Sequence, residues 1–248
     1  MTRTIANITA AIALMSQLVC GCASRPREQI PTYAVMDVAR SLGIVRERAA
    51  RLERLTAKGS ITLSNPQQGS VRLDAVFVLA PPDRARIRAW KFNQAVFDLT
   101  ANSDGVFVYA PRDQSAPGQI SEASRGVGAA VRQWLTYLRG TLDTQGATLS
   151  SDKHQIRISR PQEAAGTLTT VIDRATLTVR SHRLVDAAGA EQFVLSLSHY
   201  RQFDDAVWPC RIKARSASGT IIIETRELDP HIAADAAFKP PARAIRLQ

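Results

Sequence analysis

The sequence predicts an α+β fold, in which an antiparallel sheet of about ten or eleven strands curls over two long helices. Residues 71–109 alternate apolar and polar side chains in four short runs that are separated by turn residues. Six further β-like runs follow between residues 155 and 228. Residues 32–59 and 121–139 instead repeat apolar side chains at helical spacing. A sheet this long curls, so a helix is expected to cover its apolar face.

The length and charge of the chain limit its organisation and its partners. A chain of 248 residues can form one sizeable core, and a β-rich chain of this length is typically a single domain. The formal net charge is +10, from 32 basic and 22 acidic residues that are interspersed along the chain. Because the basic residues do not cluster, we expect no nucleic-acid partner.

The N-terminus has the pattern of a targeting segment. Arg3 precedes an apolar stretch at residues 5–19 that is too short to span a membrane. The sequence Val19-Cys20-Gly21-Cys22 that closes it resembles a bacterial lipobox. The resemblance implies cleavage after Gly21, so that residues 1–21 are a lipoprotein signal peptide and Cys22 carries the lipid anchor. Two or three acyl chains anchor a protein stably. The alternative is an ordinary secretory peptide with an incidental cysteine.

The residues after Cys22 predict the location of the mature protein. Position 23 is Ala, and no aspartate stands at the second mature position, where lipoproteins that stay in the inner membrane carry one. We therefore expect the periplasmic face of the outer membrane. Residues 22–31 form a polar tether, and residues 32–248 form a single domain. Only Cys210 remains after cleavage and acylation, so we expect no internal disulfide.

The first helix and the strands follow the tether in order. Thr32 is a candidate N-cap for a helix that ends at Gly59, and strand structure begins at residues 61–63. The meander of residues 71–109 comes next, and its second turn, at residues 91–94, includes Phe92. Along one of its strands, Arg84, Arg86 and Arg88 alternate with apolar residues. These arginines are either a solvated face or a binding surface for an anionic lipid headgroup.

The second helix is predicted at residues 121–139, and the remaining strands follow it. Trp134, Leu135 and Leu138 belong to the apolar stripe of this helix. The remaining sequence predicts a tail at residues 232–247 and strands at residues 155–159, 167–172, 175–180, 191–201, 207–214 and 220–228.

The sequence carries no recognisable catalytic or metal-binding motif. The four histidines are isolated from one another and from cysteines or glutamates at ligand spacing, so we expect no metal, no cofactor other than the lipid anchor, and no enzyme activity. In residues 75–79, 194–197 and 221–223, apolar side chains occupy both the odd and the even positions. Either the curled sheet lines a cavity, or the protein has a thicker ordinary core.

Several of these segments together resemble the lipoprotein-localisation (Lol) carrier and receptor superfamily, the LolA/LolB-like proteins. The segments are the lipobox, the N-terminal helix, and residues 83–88, 95–99, 104–109 and 132–135. The resemblance implies an incomplete β-barrel closed by two or three helices, with a hydrophobic cavity for acyl chains. Receptors of this superfamily use an exposed leucine in a turn of the meander. The matching turn here offers Phe92, with Trp90 beside it, as membrane or cargo contacts.

The expected function is therefore lipid binding in the outer membrane. We expect the hydrophobic cavity to bind acyl chains of a lipoprotein or lipid, with outer-membrane lipid and a periplasmic carrier protein as further partners. The candidate cavity residues are Leu73, Phe77, Ile87, Phe97, Leu99, Val108, Trp134, Leu135 and Leu138. The alternative is a non-catalytic structural or assembly lipoprotein that holds a protein partner in an envelope complex.

Overall fold

A single antiparallel sheet of 13 strands runs through the chain. The computed structural model describes residues 30–52, 54–67, 69–80, 83–111, 137, 142–162, 166–204, 206–229 and 235–247. The strand order is β13-β5-β4-β3-β2-β1-β12-β11-β10-β9-β8-β7-β6. The sheet is curled but not closed, because β13 and β6 are its two edges and do not pair with each other.

The helix and strands have the following bounds. Helix α1 spans Val38–Arg51, and the strands are β1 Leu55–Asn65, β2 Gly69–Ala80, β3 Arg84–Lys91, β4 Gln94–Asn102, β5 Gly105–Tyr109, β6 Thr148–Ser151, β7 Gln155–Gln162, β8 Gly166–Asp173, β9 Val179–Val185, β10 Glu191–Phe203, β11 Ala206–Ser216, β12 Gly219–Asp229 and β13 Ile245–Leu247.

The predicted meander is present as β2–β5. Each pair of neighbouring strands is antiparallel and joined by a short turn. Alternate residues point to opposite faces, as the two-residue period requires. We call the face that carries the main apolar cluster and α1 the inner face, and the opposite one the outer face. The inner face places nearly all of the large buried side chains in one continuous core.

Two strands were not predicted from the sequence. β6 has four residues, all exposed, so it carries no alternating burial signal. β13 has three residues and lies in the segment that was predicted to be a tail, where Ile245 pairs with Val108 of β5. Both are short edge strands, whose pairing depends on the neighbouring strand more than on their own pattern.

The predicted first helix was wrong at both ends. Asp37, not Thr32, is the N-cap, because its carboxylate accepts a hydrogen bond from the Arg40 N–H. The helix ends before Leu55, which begins β1. Gly59 is not a helix cap but lies at a bulge in β1, where a Cβ atom would come within 1.8 Å of the Glu224 carbonyl oxygen. Glycine is required there by close approach of two backbones.

The strand predicted at residues 175–180 begins later, at Val179. The Asp173 carboxylate accepts hydrogen bonds from the backbone N–H groups of Ala175 and Thr176, and from the Thr176 hydroxyl. These bonds close a turn over residues 174–176. An aspartate at this position therefore holds a turn where the β-branched residues alone suggested a strand.

Fewer helices are described than the two or three that were predicted. The predicted second helix, with Trp134, Leu135 and Leu138, lies outside the described residues apart from Tyr137, which is helical. A short 3-10 helix, Asp235–Phe238, precedes β13. Among the described residues, no helix is long and apolar enough to cross a membrane.

Candidate functional site

Four of the nine predicted cavity residues lie in one transverse row on the inner face. Phe77 pairs with Ile87, Ile87 with Leu99, and Leu99 with Val108 across β2–β5. Their exposed fractions are between 1% and 7%. Residues that are scattered in the sequence are therefore neighbours in space, and they form a continuous apolar surface about four strands wide.

The other predicted site residues are placed as follows. Leu73 is buried on the same face of β2, and Phe97 is half-buried on β4 opposite Ala89. Trp134, Leu135, Leu138 and Cys22 lie outside the described residues. That Trp134, Leu135 and Leu138 line a cavity, and that Cys22 carries a lipid, therefore stay predictions.

Helix α1 packs on the inner face over β9–β11, on the far side of β1 and β12 from this row. Its buried side chains, Leu42, Val45 and Ala49, recur at three- and four-residue intervals on one side of the helix. On its flank, Arg48 donates hydrogen bonds to the carbonyl of Thr176, at 2.9 Å, and to the Tyr33 hydroxyl, at 2.7 Å. These bonds attach α1 to the β8–β9 turn.

A small cavity lies between α1 and the strands beneath it. Its volume is about 60 Å³, well below the several hundred Å³ of a typical ligand pocket. The polar groups at this cavity include Thr178, Tyr200 and Arg48, and the wall is otherwise apolar. Its apolar lining includes Val45, Ala49, Leu52, Leu177, Val179, Leu197 and Trp208. The contact between α1 and the sheet is thus nearly filled.

A buried histidine interrupts the apolar inner face. His182 on β9 is 2% exposed, and its Nδ1 lies 2.9 Å from the Thr170 hydroxyl oxygen on the neighbouring strand. Its ring stacks on Tyr137, with the ring centroids 4.8 Å apart. Burial lowers the pKa of His182 to about 4, and a hydrogen bond with the Tyr137 backbone opposes that shift. The imidazole is therefore neutral at pH 7.

A second titratable side chain, Tyr200, is buried on the inner face. The Tyr200 hydroxyl donates a hydrogen bond to the Val179 carbonyl, and burial raises the pKa of Tyr200 above its ordinary value. Both buried titratable groups are thus held neutral. Among the described residues, no group of three or more His, Cys, Asp or Glu side chains could hold a metal ion.

The turn between β3 and β4 exposes the predicted contact residue. Phe92 is 88% exposed, and both central residues of the turn have positive φ, 51° for Phe92 and 60° for Asn93. This geometry is that of a type I′ hairpin turn, which normally selects Asn, Asp or Gly. An aromatic residue there is both strained and solvated. Trp90, two residues earlier, is half-buried on the outer face.

The outer face explains the apolar residues that sequence analysis found in excess on β2. Val78 and Ala80 point outward and form a separate small cluster with Phe238. Residues 235–247, which we call the C-terminal strap, cross this face and then pair with β5 as β13. The apolar run of β2 therefore arises because the core covers one face of the strand and Phe238 covers the other. Neither a cavity wall nor a thicker core is needed to explain it.

A groove continues the outer face beyond the strap. Its volume is about 530 Å³, and it is lined by Val76, Val78, Arg86, Arg88, Trp90, Asn93 and Ala237. Sequence analysis did not identify this site. The successive apolar residues of β2 and the alternating arginines of β3 were the two signals that could have located it.

Several solved structures have a fold similar to that of this chain. No protein-family model matches the sequence, and no curated protein matches it. A domain assigned to an outer membrane lipoprotein-sorting protein from Vibrio parahaemolyticus has a similar structure, with a TM-score of 0.52 and 15% identity, over 82% of this chain and 97% of that domain. A DUF1329 family protein from Desulfovibrio piger has a TM-score of 0.57 and 12% identity, over 82% of this chain and 98% of that one.

A third similar structure is a LolA superfamily protein from Nitrosomonas europaea, with a TM-score of 0.50 and 8% identity, over 80% of this chain and 97% of that one. The chain has a LolA/LolB-like fold, as the sequence resemblance predicted. At these identities the likeness concerns the fold.

Proposed function

We propose that the chain is a periplasmic lipoprotein, anchored in the outer membrane through Cys22, that binds acyl chains of lipoproteins or lipids against the inner face of its sheet. The observation that carries the proposal is the transverse row of Phe77, Ile87, Leu99 and Val108 in a LolA/LolB-like fold. Contact with an acyl chain is favourable by about 25 cal/mol per Å² of apolar surface buried. No covalent step is required, and the proposed role is non-catalytic.

Binding on the part of the inner face that α1 covers requires a movement, because the cavity there holds only about 60 Å³. The bonds from Arg48 to the β8–β9 turn and from Arg46 to the Leu142 carbonyl and Thr144 hydroxyl keep α1 in place. The flank of α1 is held by polar contacts that are partly exposed. An acyl chain would enter as these contacts open and α1 moves away from the sheet.

The Phe92 turn is proposed as the contact with cargo or a periplasmic carrier. The Tyr33 N–H donates to the Ala175 carbonyl in the β8–β9 turn, so the N-terminal segment enters at that end of the sheet. Strand alternation puts the β3–β4 turn at the opposite end. Phe92 thus points away from the side at which the tether joins the sheet.

The test compares two neighbouring residues of β4. Phe97 faces the inner side, whereas Val96 is 37% exposed at a bulge where it has no partner on β3. Phe97→Asn is expected to weaken saturable binding of a fluorescent fatty acid by about tenfold, because it places an amide on the apolar surface. Val96→Asn is the matched control and should bind as the unchanged protein does. Equal binding by both variants, or no saturable binding by the unchanged protein, would contradict the proposal.

The narrow cavity supports a second candidate function. A non-catalytic assembly lipoprotein would keep the inner face closed and hold a protein partner elsewhere. Mass spectrometry of the protein purified from membranes distinguishes the two. Bound lipid in stoichiometric amount supports the first function, whereas a co-purifying protein without lipid supports the second.

A further inference from the structure

The C-terminal strap shows what kind of segment the outer face can bind. The Asp235 carboxylate lies 3.0 Å from guanidinium nitrogens of both Arg54 and Arg84. Three residues later, Phe238 is 4% exposed and packs on Val78 and Ala80. A carboxylate held by arginines and an aromatic ring held by apolar side chains therefore fix this segment.

Hydrogen bonds from side chains of the sheet to backbone carbonyls of the strap complete its attachment. Arg86 donates to the Ala237 carbonyl at 3.0 Å, and the Asn102 amide donates to the Phe238 carbonyl at 3.3 Å. Two donors from neighbouring strands thus bind main-chain oxygens of the strap, and such contacts do not depend on the side chains of the bound segment.

The same arrangement continues along β2 and β3 towards the Phe92 turn. Val76 extends the row of Val78 and Ala80, and Arg88 and Trp90 extend the row of Arg86. These side chains line the groove of about 530 Å³, and Ala237 of the strap forms one of its walls. The groove therefore repeats two chemical elements of the strap site, apolar residues from β2 and arginine from β3, and adds Trp90 as an aromatic wall.

The charges of the groove favour an anionic occupant. Asp98 accepts two hydrogen bonds from Arg86, at 2.7 and 2.8 Å, and lies 3.3 Å from the Nε of Arg88. One carboxylate thus faces two guanidinium groups. The Arg86 side chain is 17% exposed, whereas that of Arg88 is 62% exposed. Arg88 is the accessible cation, and nearby Asp74 is already paired with Arg226 at 3.1 Å.

We propose that this groove is a docking site for a short acidic segment of a partner protein. A carboxylate of the segment binds Arg88, and an aromatic or aliphatic side chain packs between Val76 and Trp90. The bound segment would lie next to the strap and use the same kinds of contact. The site is on the opposite face of the sheet from the acyl-binding surface, so the proposal does not rest on lipid binding.

The occupant is argued to be a peptide because the chain's own Asp235–Phe238 segment is bound by the same rows of β2 and β3. A lipid phosphate would use Arg88 but would leave the apolar positions Val76 and Val78 without a matching group. Phosphatidylglycerol vesicles, which present such a phosphate, distinguish the two occupants in the experiment below.

The experiment uses NMR of the mature chain, purified from membranes in neutral detergent. The probe is a capped peptide that contains Asp-Ala-Ala-Phe, and the control peptide contains Lys-Ala-Ala-Phe. The readout is the indole N–H signal of Trp90, assigned with Trp90→Phe because the chain has three tryptophans. The acidic peptide is expected to shift this signal saturably, and the basic peptide should not.

Two charge reversals test the role of Arg88. Arg88→Glu is expected to weaken peptide binding about tenfold or more. Arg183→Glu is the matched control, because this arginine is 58% exposed on β9 and is also paired with one carboxylate, that of Glu191. It should leave the affinity unchanged. The proposal would be overturned if the two variants bound the acidic peptide equally well. It would also be overturned if the Trp90 signal did not shift at millimolar acidic peptide, or if that signal shifted with phosphatidylglycerol vesicles but not with the peptide.

Discussion

The two faces of strands β2–β5 bury apolar side chains in different ways. On the inner face, Phe77, Ile87, Leu99 and Val108 form a row that belongs to a core shared with β7–β12 and α1. On the outer face, the cluster contains only Val78, Ala80 and Phe238 as buried members. Its boundary consists of arginines and carboxylates. The inner face is therefore stabilised mainly by burial, and the outer face by directed contacts around a small apolar centre.

This difference separates stability from recognition. A large apolar surface contributes free energy in proportion to its area but selects little among apolar partners. Arginines at fixed positions add less to stability, yet they distinguish an acidic segment from a neutral one. The two proposals follow this difference, with acyl chains of varied identity on the inner face and a specific peptide on the outer face.

The largest effect is expected from truncation in the inner row. Leu99 is 1% exposed, and Leu99→Ala should lower the free energy of unfolding by about 3 to 4 kcal/mol, through lost burial and the cavity left behind. Urea denaturation measures the change. A matched pair then compares the faces: Val108→Ala on the inner face and Val78→Ala on the outer face start from 7% and 9% exposure. Equal losses would show that the outer cluster is packed as well as the core.

The next effect concerns the ion pair beneath the strap. Asp98→Ala leaves Arg86 without its partner at a site where both side chains are mostly buried, so we expect a loss of about 2 to 3 kcal/mol in the free energy of unfolding. The hydrogen bond that Arg86 donates to Asp98 raises the pKa of the Arg86 guanidinium. Arg88→Ala, at a 62% exposed side chain, should cost less than about 0.5 kcal/mol. Similar costs in urea denaturation would mean that the pair is not buried in solution.

Acid should destabilise the fold through His182 before it does so through Asp173. Burial lowers the pKa of His182 to about 4 from 6.5, so between these pH values the unfolded chain binds a proton that the folded chain does not. Stability should fall as the pH drops through this range, by about 3 kcal/mol in total. Desolvation acts to raise the pKa of Asp173, but hydrogen bonds from Thr176 and Ala175 and the charge of Arg180 together lower it, so the contribution of Asp173 to stability disappears only below about pH 4.

The control for this prediction is a variant that cannot titrate. His182→Gln should flatten the pH dependence of the unfolding free energy between pH 6.5 and 4, whatever its stability at pH 7. A slope retained in His182→Gln would assign the acid sensitivity to another group.

The smallest effect is expected at the exposed turn. Phe92→Asn should raise the free energy of unfolding by about 0.5 to 1 kcal/mol, because Asn tolerates the positive φ of a type I′ turn. If Phe92 contacts cargo or a carrier, the same variant should transfer lipid or lipoprotein more slowly. Phe92→Glu should do so as well. Transfer at the original rate in both variants would remove Phe92 from the mechanism.

Strand alternation allowed most of the sheet to be predicted. The runs around Phe77, Ile87 and Phe97 repeat apolar residues every second position, and their short turns require antiparallel neighbours. The pattern failed where local chemistry replaced periodicity. Asp37 caps α1 later than expected, Asp173 closes a turn within a predicted strand, and Gly59 belongs to a bulge. In each case, one side chain or one close backbone contact decided the local structure.

The sites were less predictable than the sheet. Strand alternation predicted that Phe77, Ile87, Leu99 and Val108 share one face. It did not predict that they align in a row, because the alignment depends on the register of four strands. The outer groove depends on a strap more than 140 residues away from β3 in sequence. A contact at that separation has no periodic signal in either segment.

The sequence by itself determined the antiparallel β-rich architecture, the amphipathic first helix and the alternation of the meander, because these follow from residue spacing and turn chemistry. Tertiary structure alone decided that α1 nearly fills the space over β10 and β11, and that residues 235–247 cover part of the outer face. These arrangements follow from packing between distant segments, in which the free energy belongs to the shared surface and not to either segment alone.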